Sequence, residues 1–135
     1  MRAPFDTNVY ISAFLASGAA RRALLLAEEG VFALQVSQPI LDETTEVLAR
    51  FGVTPEDIRD VVAGIDRVGQ RVVPHVDLDA VPQDRDDNTI LECALASRSD
   101  YIVTSDKHLL RLKRYGGADI VTPAAFLTLL RQREP

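Results

Sequence analysis

The chain has 135 residues, 47% of them hydrophobic, and a formal net charge of −5 at pH 7. This length and apolar content predict one domain, residues 1–135, with a substantial core, and the negative charge counts against a broad basic nucleic-acid surface. No apolar run approaches the ~20 residues that cross a bilayer and no signal peptide is evident, so we expect a cytoplasmic protein without a membrane segment. Cys93 is the only cysteine, which excludes an internal disulfide, and its apolar neighbours predict burial.

The first half of the chain alternates short strand-like runs with longer helical ones. Strands are predicted at residues 2–6 and 31–36, and helices at residues 19–29, 37–51 and from 54 onward. Gly30 ends the first of these helices. Ser37 with Pro39, and Thr54 with Pro55, provide caps and first-turn prolines for the other two.

The second half continues this alternation. Residues 71–75 form an extended run, which Pro74 places at a sheet edge or strand end, and a polar loop at 76–86 leads into a helix at 87–97. Strands Tyr101–Val103 and Ala118–Val121 are followed by helices from Lys107 and from Pro123 to residue 131. Strands separated by helices imply parallel pairing, with helices on both faces of the sheet.

Two aspartates directly follow predicted strands. Asp6 ends the first strand, and Asp106 comes just after the strand Tyr101–Val103. Open parallel sheets bind ligands outside the carboxyl ends of their strands, so these two residues are expected to meet there. Helix N-capping explains each aspartate equally well when it is taken singly.

Two further acids lie on predicted helices. At roughly 100° per residue, Glu43 falls on the edge of an apolar stripe, whereas Asp42 and Glu46 point toward solvent. The stripe consists of Ile40, Leu41, Thr44, Val47, Leu48 and Phe51.

Asp87 has a similar position on the later helix. It shares a face with Ile90, Leu91 and Ala94, while Glu92 points away. An acid on an apolar face needs a partner, and a shared cation fits better than a private salt bridge. A first-turn aspartate in water remains the alternative.

Four carboxylates gathered from distant segments repel one another unless a cation lies between them. A cation held only by oxygen ligands, which keeps some of its waters, suits phosphoryl chemistry. The four acids, Asp6, Glu43, Asp87 and Asp106, therefore predict a metal-dependent nuclease.

Four segments, in order, resemble the motifs of the PIN-domain nucleases, and in particular the PIN toxins of prokaryotic toxin–antitoxin pairs. They are Asp6-Thr7-Asn8, the run from Ser37 to Glu43, the run from Asp84 to Asn88 leading into Ile90 and Ala94, and the run from Tyr101 to Asp106 continuing to Leu109 and Leu110. The third acid is aligned on Asp87, with Asp84 and Asp86 as competitors. The resemblance implies an α/β, PIN-like three-layer sandwich, with a central parallel sheet of four to five strands and helices on both faces.

The resemblance also implies an Mg²⁺- or Mn²⁺-dependent endoribonuclease that hydrolyses RNA phosphodiester bonds. Asp6 and Asp106 are then direct metal ligands, Asp87 completes the site, and Glu43 binds metal or orients the attacking water. Asn8 and Thr104 are candidates for orienting the carboxylates, with local turn and cap bonding as the alternative. The implied partners are the RNA substrate, a cognate antitoxin that covers the acidic pocket, and a second copy in a homodimer, with Leu24, Leu25 and Leu26 as surface or core.

Two other functions use similar residues. A phosphatase or receiver-like phospho-acceptor needs one aspartate and a nearby lysine, for which only Lys107 is available, and it leaves the helical acids without a role. An inactive PIN scaffold for partner binding is the second alternative. The basic residues Lys107, His108, Arg111, Lys113 and Arg114 either hold substrate phosphates or form a solvated helix face. His75 and His108 lie outside the motifs and are expected to be surface residues.

Overall fold

The computed structural model describes residues 1–74 and 85–133, and for residues 85–88 it describes the helix but not the side chains. Seven helices lie in this part of the chain: α1 Thr7–Leu15, α2 Ala19–Glu28, α3 Gln38–Arg50, α4 Pro55–Val68, α5 Arg85–Ser97, α6 Lys107–Leu112 and α7 Pro123–Arg133. Six strands lie between them: β1 Arg2–Pro4, β2 Ala33–Val36, β3 Gln70–Arg71, β4 Tyr101–Val103, β5 Arg114–Tyr115 and β6 Ala118–Val121.

Helix starts follow local capping chemistry. The Ser37 hydroxyl accepts a hydrogen bond from the Ile40 N–H, and the Thr54 hydroxyl accepts one from the Asp57 N–H. A proline lies in the first turn of each of these two helices, where its missing N–H costs nothing. The predicted starts of α3 and α4 are therefore confirmed.

The sheet is assembled from two three-stranded parts. The order is β1-β2-β3 in one part and β4-β6-β5 in the other, and a parallel bridge between Phe5 and Val103 joins β1 to β4. Five strands run parallel, so the predicted α/β sandwich is confirmed. As predicted from Pro74, the third extended run lies at a sheet edge, where the Val72 N–H bonds to the Val36 carbonyl oxygen.

The prediction of parallel pairing missed β5, which is antiparallel to β6. These two strands are separated by Gly116 and Gly117, with φ of +57° and +87°. Two residues at positive φ form the tight turn that joins a hairpin, and glycine adopts them without a steric penalty. The Gly-Gly pair was the sequence signal for β5.

Four predicted boundaries also shift: β1 ends at Pro4, β2 begins at Ala33, β3 is Gln70–Arg71, and α5 begins at Arg85. Residues Thr7–Leu15, to which the sequence assigned no element, form α1. The prediction that Phe51 belongs to the buried apolar stripe is wrong, because Phe51 is the C-cap of α3 and is 62% exposed. His75 and most of the polar loop, together with the competing Asp84, lie outside the described residues.

Aromatic side chains fill the centre of the larger core. Phe126 from α7 packs edge-on against both Phe5 and Phe32, with ring centroids 6.2 and 4.9 Å away. Cys93 is fully buried in the same core, as predicted, and burial raises the pKa of its thiol to about 12. Leu24 and Leu26 pack against this core, whereas Leu25 between them is 52% exposed. The core interpretation is thus correct for Leu24 and Leu26, and the surface interpretation is correct for Leu25.

Within the described residues, no single helix is long and apolar enough to cross a bilayer. Helices α1 and α2 reach that length and composition only as a pair, and the pair is bent by 100°.

The end of α4 packs directly against β2 at Gly69. A Cβ built there would lie 2.2 Å from Val36 Cγ2 and 3.2 Å from the Ile65 carbonyl oxygen. Gly69→Ala is therefore expected to lower the free energy of unfolding by about 1–3 kcal/mol, because a close-packed strand cannot yield that space. Urea unfolding measures this directly. Gly64→Ala, inside the same helix and with nothing closer than 4.0 Å, is expected to gain roughly 0.5–1 kcal/mol, and equal effects of the two would contradict the packing.

Candidate active site

The carboxyl ends of β1 and β4 lie side by side. Phe5 bridges Val103, and the Asp6 N–H donates to the Val103 carbonyl oxygen at 3.0 Å. Asp6 and Thr104 are the next residues on the two strands. The edge where ligands bind in parallel sheets is therefore formed here by an aspartate and a threonine.

The Asp6 carboxylate is held from two sides. Its Oδ1 accepts a hydrogen bond from the Thr7 N–H at 2.8 Å, and its Oδ2 accepts one from the Thr104 hydroxyl at 2.9 Å. The residue is only 6% exposed and caps α1. Since a carboxylate oxygen has two lone pairs, capping the helix and binding a cation are compatible roles for Asp6.

Thr104 connects Asp6 to Asp106. The same hydroxyl that donates to Asp6 accepts a hydrogen bond from the Asp106 N–H at 3.0 Å, and Thr104 is fully buried. Asp106 caps α6 by accepting the His108 N–H at Oδ1, 2.7 Å away. Its Oδ2 accepts no hydrogen bond from the described residues. Two acids from distant segments are thus brought to one edge of the sheet, and one of them has a carboxylate oxygen to which no described residue donates.

Glu43 lies on the helix that follows the carboxyl end of β2. Helix α3 leaves the carboxyl end of β2, which is the neighbour of β1 in the sheet, and Glu43 is half-buried on it. Asp42 and Glu46 on the same helix are exposed, as the spacing predicted. Glu43 makes an interaction within the fold, so it is not a free surface acid.

The third predicted acid is only partly described. Ile90, Leu91 and Ala94 are buried, which confirms the apolar face of α5, but the side chains of Asp86 and Asp87 lie outside the described residues. Among the side chains that the structure describes, no group of three or more acids, histidines or cysteines forms a metal cluster. The meeting of all four acids, Asp6, Glu43, Asp87 and Asp106, stays a prediction.

Three other polar residues near the two aspartates differ in their surroundings. Asn8 is exposed on the first turn of α1, and the His108 side chain is exposed on α6. The hydroxyl of Thr7 is buried without a hydrogen-bond partner among the described residues. Sequence reasoning named Asn8 and overlooked Thr7, although a threonine beside a candidate ligand acid was itself a signal.

The donor chemistry of the site fits a hard divalent cation. Asp6 and Asp106 offer only oxygen atoms, which Mg²⁺ and Mn²⁺ prefer to nitrogen or sulfur. A buried hydroxyl that has no partner among the described residues, such as that of Thr7, is suited to bind a water or an ion, because buried polar groups are normally satisfied. The described residues therefore fit a metal held at this edge.

Comparison with known proteins agrees with this architecture. The sequence profile of the PIN domain family matches residues 2–108, whereas no curated protein matches the chain significantly. The chain is similar to a protein in the crystal structure of VapBC2 from Rickettsia felis, which was solved in complex with a DNA fragment from the VapBC2 promoter. The two superpose with a TM-score of 0.66 at 16% sequence identity, over 90% of this chain and 98% of that one. PAE2754 from Pyrobaculum aerophilum superposes with a TM-score of 0.65 at 17% identity, covering 98% of this chain and 91% of that one.

The chain therefore belongs to the PIN domain family, whose members are in general nucleases. The resemblance found in the four sequence motifs is confirmed. Membership of this family also argues against the phosphatase or receiver-like alternative.

Proposed function

We propose that this protein is a divalent-metal-dependent endoribonuclease that hydrolyses RNA phosphodiester bonds and acts as the toxin of a toxin–antitoxin pair. The observation that carries the proposal is the hydrogen-bonded link Asp6–Thr104–Asp106 at the carboxyl edge of a PIN-domain sheet. A bound Mg²⁺ or Mn²⁺ would supply an acidified water and positive charge for the phosphate.

The residues of the chain divide the remaining work. Asp6 and Asp106 would hold the metal, Asp87 would complete the set of ligands, and Glu43 would either join them or orient the attacking water. Thr104 fixes the Asp6 carboxylate through its hydroxyl, and the Thr7 N–H holds the other oxygen. Because both oxygens are held, the metal ligand is already oriented before substrate arrives.

The proposal is tested by incubating the purified protein with single-stranded and structured RNA in Mg²⁺, Mn²⁺ or EDTA. We expect internal cuts in RNA with either metal, none in EDTA, and recovery when excess metal is added back. Cleavage that continues in EDTA contradicts the metal-dependent mechanism. A protein that binds metal but cuts no RNA or DNA is instead the inactive scaffold.

We further propose an antitoxin as partner, which not only covers the acidic pocket but also docks an apolar helix in a separate groove between α1, α2 and α4. The groove has a volume of about 430 Å³ and is lined by Phe14, Leu24 and Leu25 beside Arg21 and Asp60. Tyr10 also lines the groove, and its buried hydroxyl has no partner among the described residues. Grooves of this kind bind amphipathic helices through spaced apolar anchors, and the similar VapBC2 structure supports such a partner.

A homodimer and a cytoplasmic location stay predictions.

Leu25→Glu is expected to abolish the complex with a co-expressed antitoxin, because it places a charge in the apolar groove. Leu15→Glu is the matched control, since Leu15 is 53% exposed, as against 52% for Leu25, but does not line the groove. Size-exclusion chromatography of the co-expressed pair shows the result. Loss of the complex in both variants, or in neither, would place the antitoxin elsewhere.

A further inference from the structure

A group of cations follows Asp106 directly. Four of the fifteen Lys and Arg residues lie between positions 107 and 114, a segment that contains no acid, in a chain of net charge −5. Arg114 forms an ion pair with Asp119, Nε to Oδ1 at 3.2 Å. In the described part of the chain, Lys107, Arg111 and Lys113 form no ion pair, and all three are exposed. We call these three residues the α6 basic strip.

The strip begins at the candidate active site. Asp106 caps α6, so Lys107 directly follows the acid whose Oδ2 accepts no hydrogen bond from the described residues. Arg111 lies one turn further on the same side of the helix, about 6 Å along its axis. Leu109 is fully buried on the opposite side, which fixes the cations toward solvent.

Lys113 has a backbone conformation that disfavours a side chain. Its φ is +63° and its ψ is −41°, a region that L-residues other than glycine avoid. The conformation is held because the Lys113 carbonyl oxygen accepts the Ile120 N–H at 2.8 Å. Elsewhere in the described chain, positive φ is taken by four glycines and by Arg98. Lysine is strained at this position relative to glycine, and such strain, where the fold retains it, points to a function of the side chain.

We propose that the α6 basic strip binds phosphates of the RNA strand that neighbour the scissile phosphate. In this way it directs the substrate backbone to Asp6 and Asp106. This inference rests on the proposed ribonuclease function. The negative chain needs such a local site, because phosphate contacts supply most non-specific nucleic-acid affinity. Lys107, Arg111 and Lys113 are positioning residues, and none of them takes part in bond cleavage.

The test measures binding separately from cleavage. Fluorescence anisotropy of labelled single-stranded oligo-uridylate is followed in Ca²⁺ buffer, with a gel to check that the RNA stays intact. The variant Lys107→Gln/Arg111→Gln/Lys113→Gln is compared with Arg22→Gln/Arg59→Gln/Arg131→Gln, which removes equal charge from exposed arginines of α2, α4 and α7. For the strip variant we expect Kd to rise at least about 10-fold, and the slope of log affinity against log salt to fall by about 2, since each contact contributes about 0.7. Little change is expected in the control variant.

Equal losses in the two variants, or no loss in the strip variant, would overturn the proposal. Poly-glutamate that binds the native protein as tightly as the RNA, and depends equally on the strip, would assign the strip to an acidic protein instead. Cleavage kinetics separate this inference from the proposed function. If the native protein cleaves RNA and the strip variant has the same KM, the role of the strip is contradicted and the nuclease function is not. If RNA binding depends on the strip but the native protein does not cleave RNA, the nuclease function is contradicted and the binding role of the strip is not.

A single pair of glycine variants tests the strain argument. Lys113→Gly is expected to raise or preserve Tm while weakening RNA binding, which a merely structural lysine would not do. Arg98→Gly is the matched control, because Arg98 also has positive φ, +52°, but follows α5 at the opposite edge of the sheet. It should keep Tm or raise it without changing Kd. Lys113→Gly with unchanged Kd would remove Lys113 from the strip.

Discussion

Asp6→Asn is expected to reduce the rate of RNA cleavage by more than about 100-fold. Loss of a residue that only hydrogen-bonds to a metal ligand costs roughly 10–100-fold, and loss of a ligand itself should cost more. The substitution keeps the size of the side chain and an oxygen that can accept the Thr104 hydroxyl, but it removes the negative charge that attracts the cation. The initial rate of cleavage in saturating Mn²⁺ is the measurement. Tm in EDTA shows whether the variant has kept its fold.

Asp100→Asn is the matched control. Asp100 also accepts a backbone hydrogen bond, from the Arg2 N–H at 2.8 Å, but it lies at the opposite, amino end of the same two strands. Its variant should cleave RNA at close to the native rate. If both variants retain activity, or if both lose it, the carboxyl edge is not the active site.

Thr104→Val is expected to have the largest effect among residues that touch neither metal nor substrate. The methyl group that replaces the hydroxyl removes the donor to Asp6 and leaves the Asp106 N–H without its acceptor. A buried polar group left unsatisfied costs about 1–3 kcal/mol of unfolding free energy. A ligand carboxylate that is no longer oriented should also lower the cleavage rate by about 10–100-fold.

Rescue by the conservative variant separates the two effects. Thr104→Ser keeps the hydroxyl and should recover most of the activity. Ser97→Ala is the control for loss of a buried hydroxyl. Ser97 lies at the C-terminal end of α5, where its hydroxyl donates to the Cys93 carbonyl oxygen and bonds to the Ser99 hydroxyl. This variant should lose stability but keep its cleavage rate. Thr104→Val that cuts RNA at the native rate would show that this hydroxyl has only a structural role.

Periodicity and capping made most of the fold predictable. Strands Tyr101–Val103 and Ala118–Val121 match the predicted bounds, because each ends in an Ile-Val pair and is bounded by turn-forming or polar residues. The helix after Ser37 was predicted from its cap and Pro39. Strand β5 was not predicted, since its two residues are too few to show any period and depend on the Gly116-Gly117 turn.

The site was predictable in its residues but not in its contacts. Strand ends placed Asp6 and Asp106, and helical spacing separated Glu43 from exposed Asp42. The bond from Thr104 to Asp6 joins residues 98 positions apart, so it depends on the pairing of β1 with β4, which no local pattern encodes. The unusual backbone of Lys113 is equally invisible in sequence, since it arises from the connection between α6 and β5.

Metal-dependent stabilisation tests the central claim most directly, because it needs no knowledge of the RNA target. Thermal or urea unfolding is followed with increasing Mn²⁺ for the native protein, Asp6→Asn, Asp106→Asn and Asp100→Asn. At about 100 times Kd, one site should add about 2.7 kcal/mol to the unfolding free energy of the native protein and of Asp100→Asn, and much less to the two other variants. Equal stabilisation of all four proteins, or none in the native protein, would contradict a cation shared by Asp6 and Asp106.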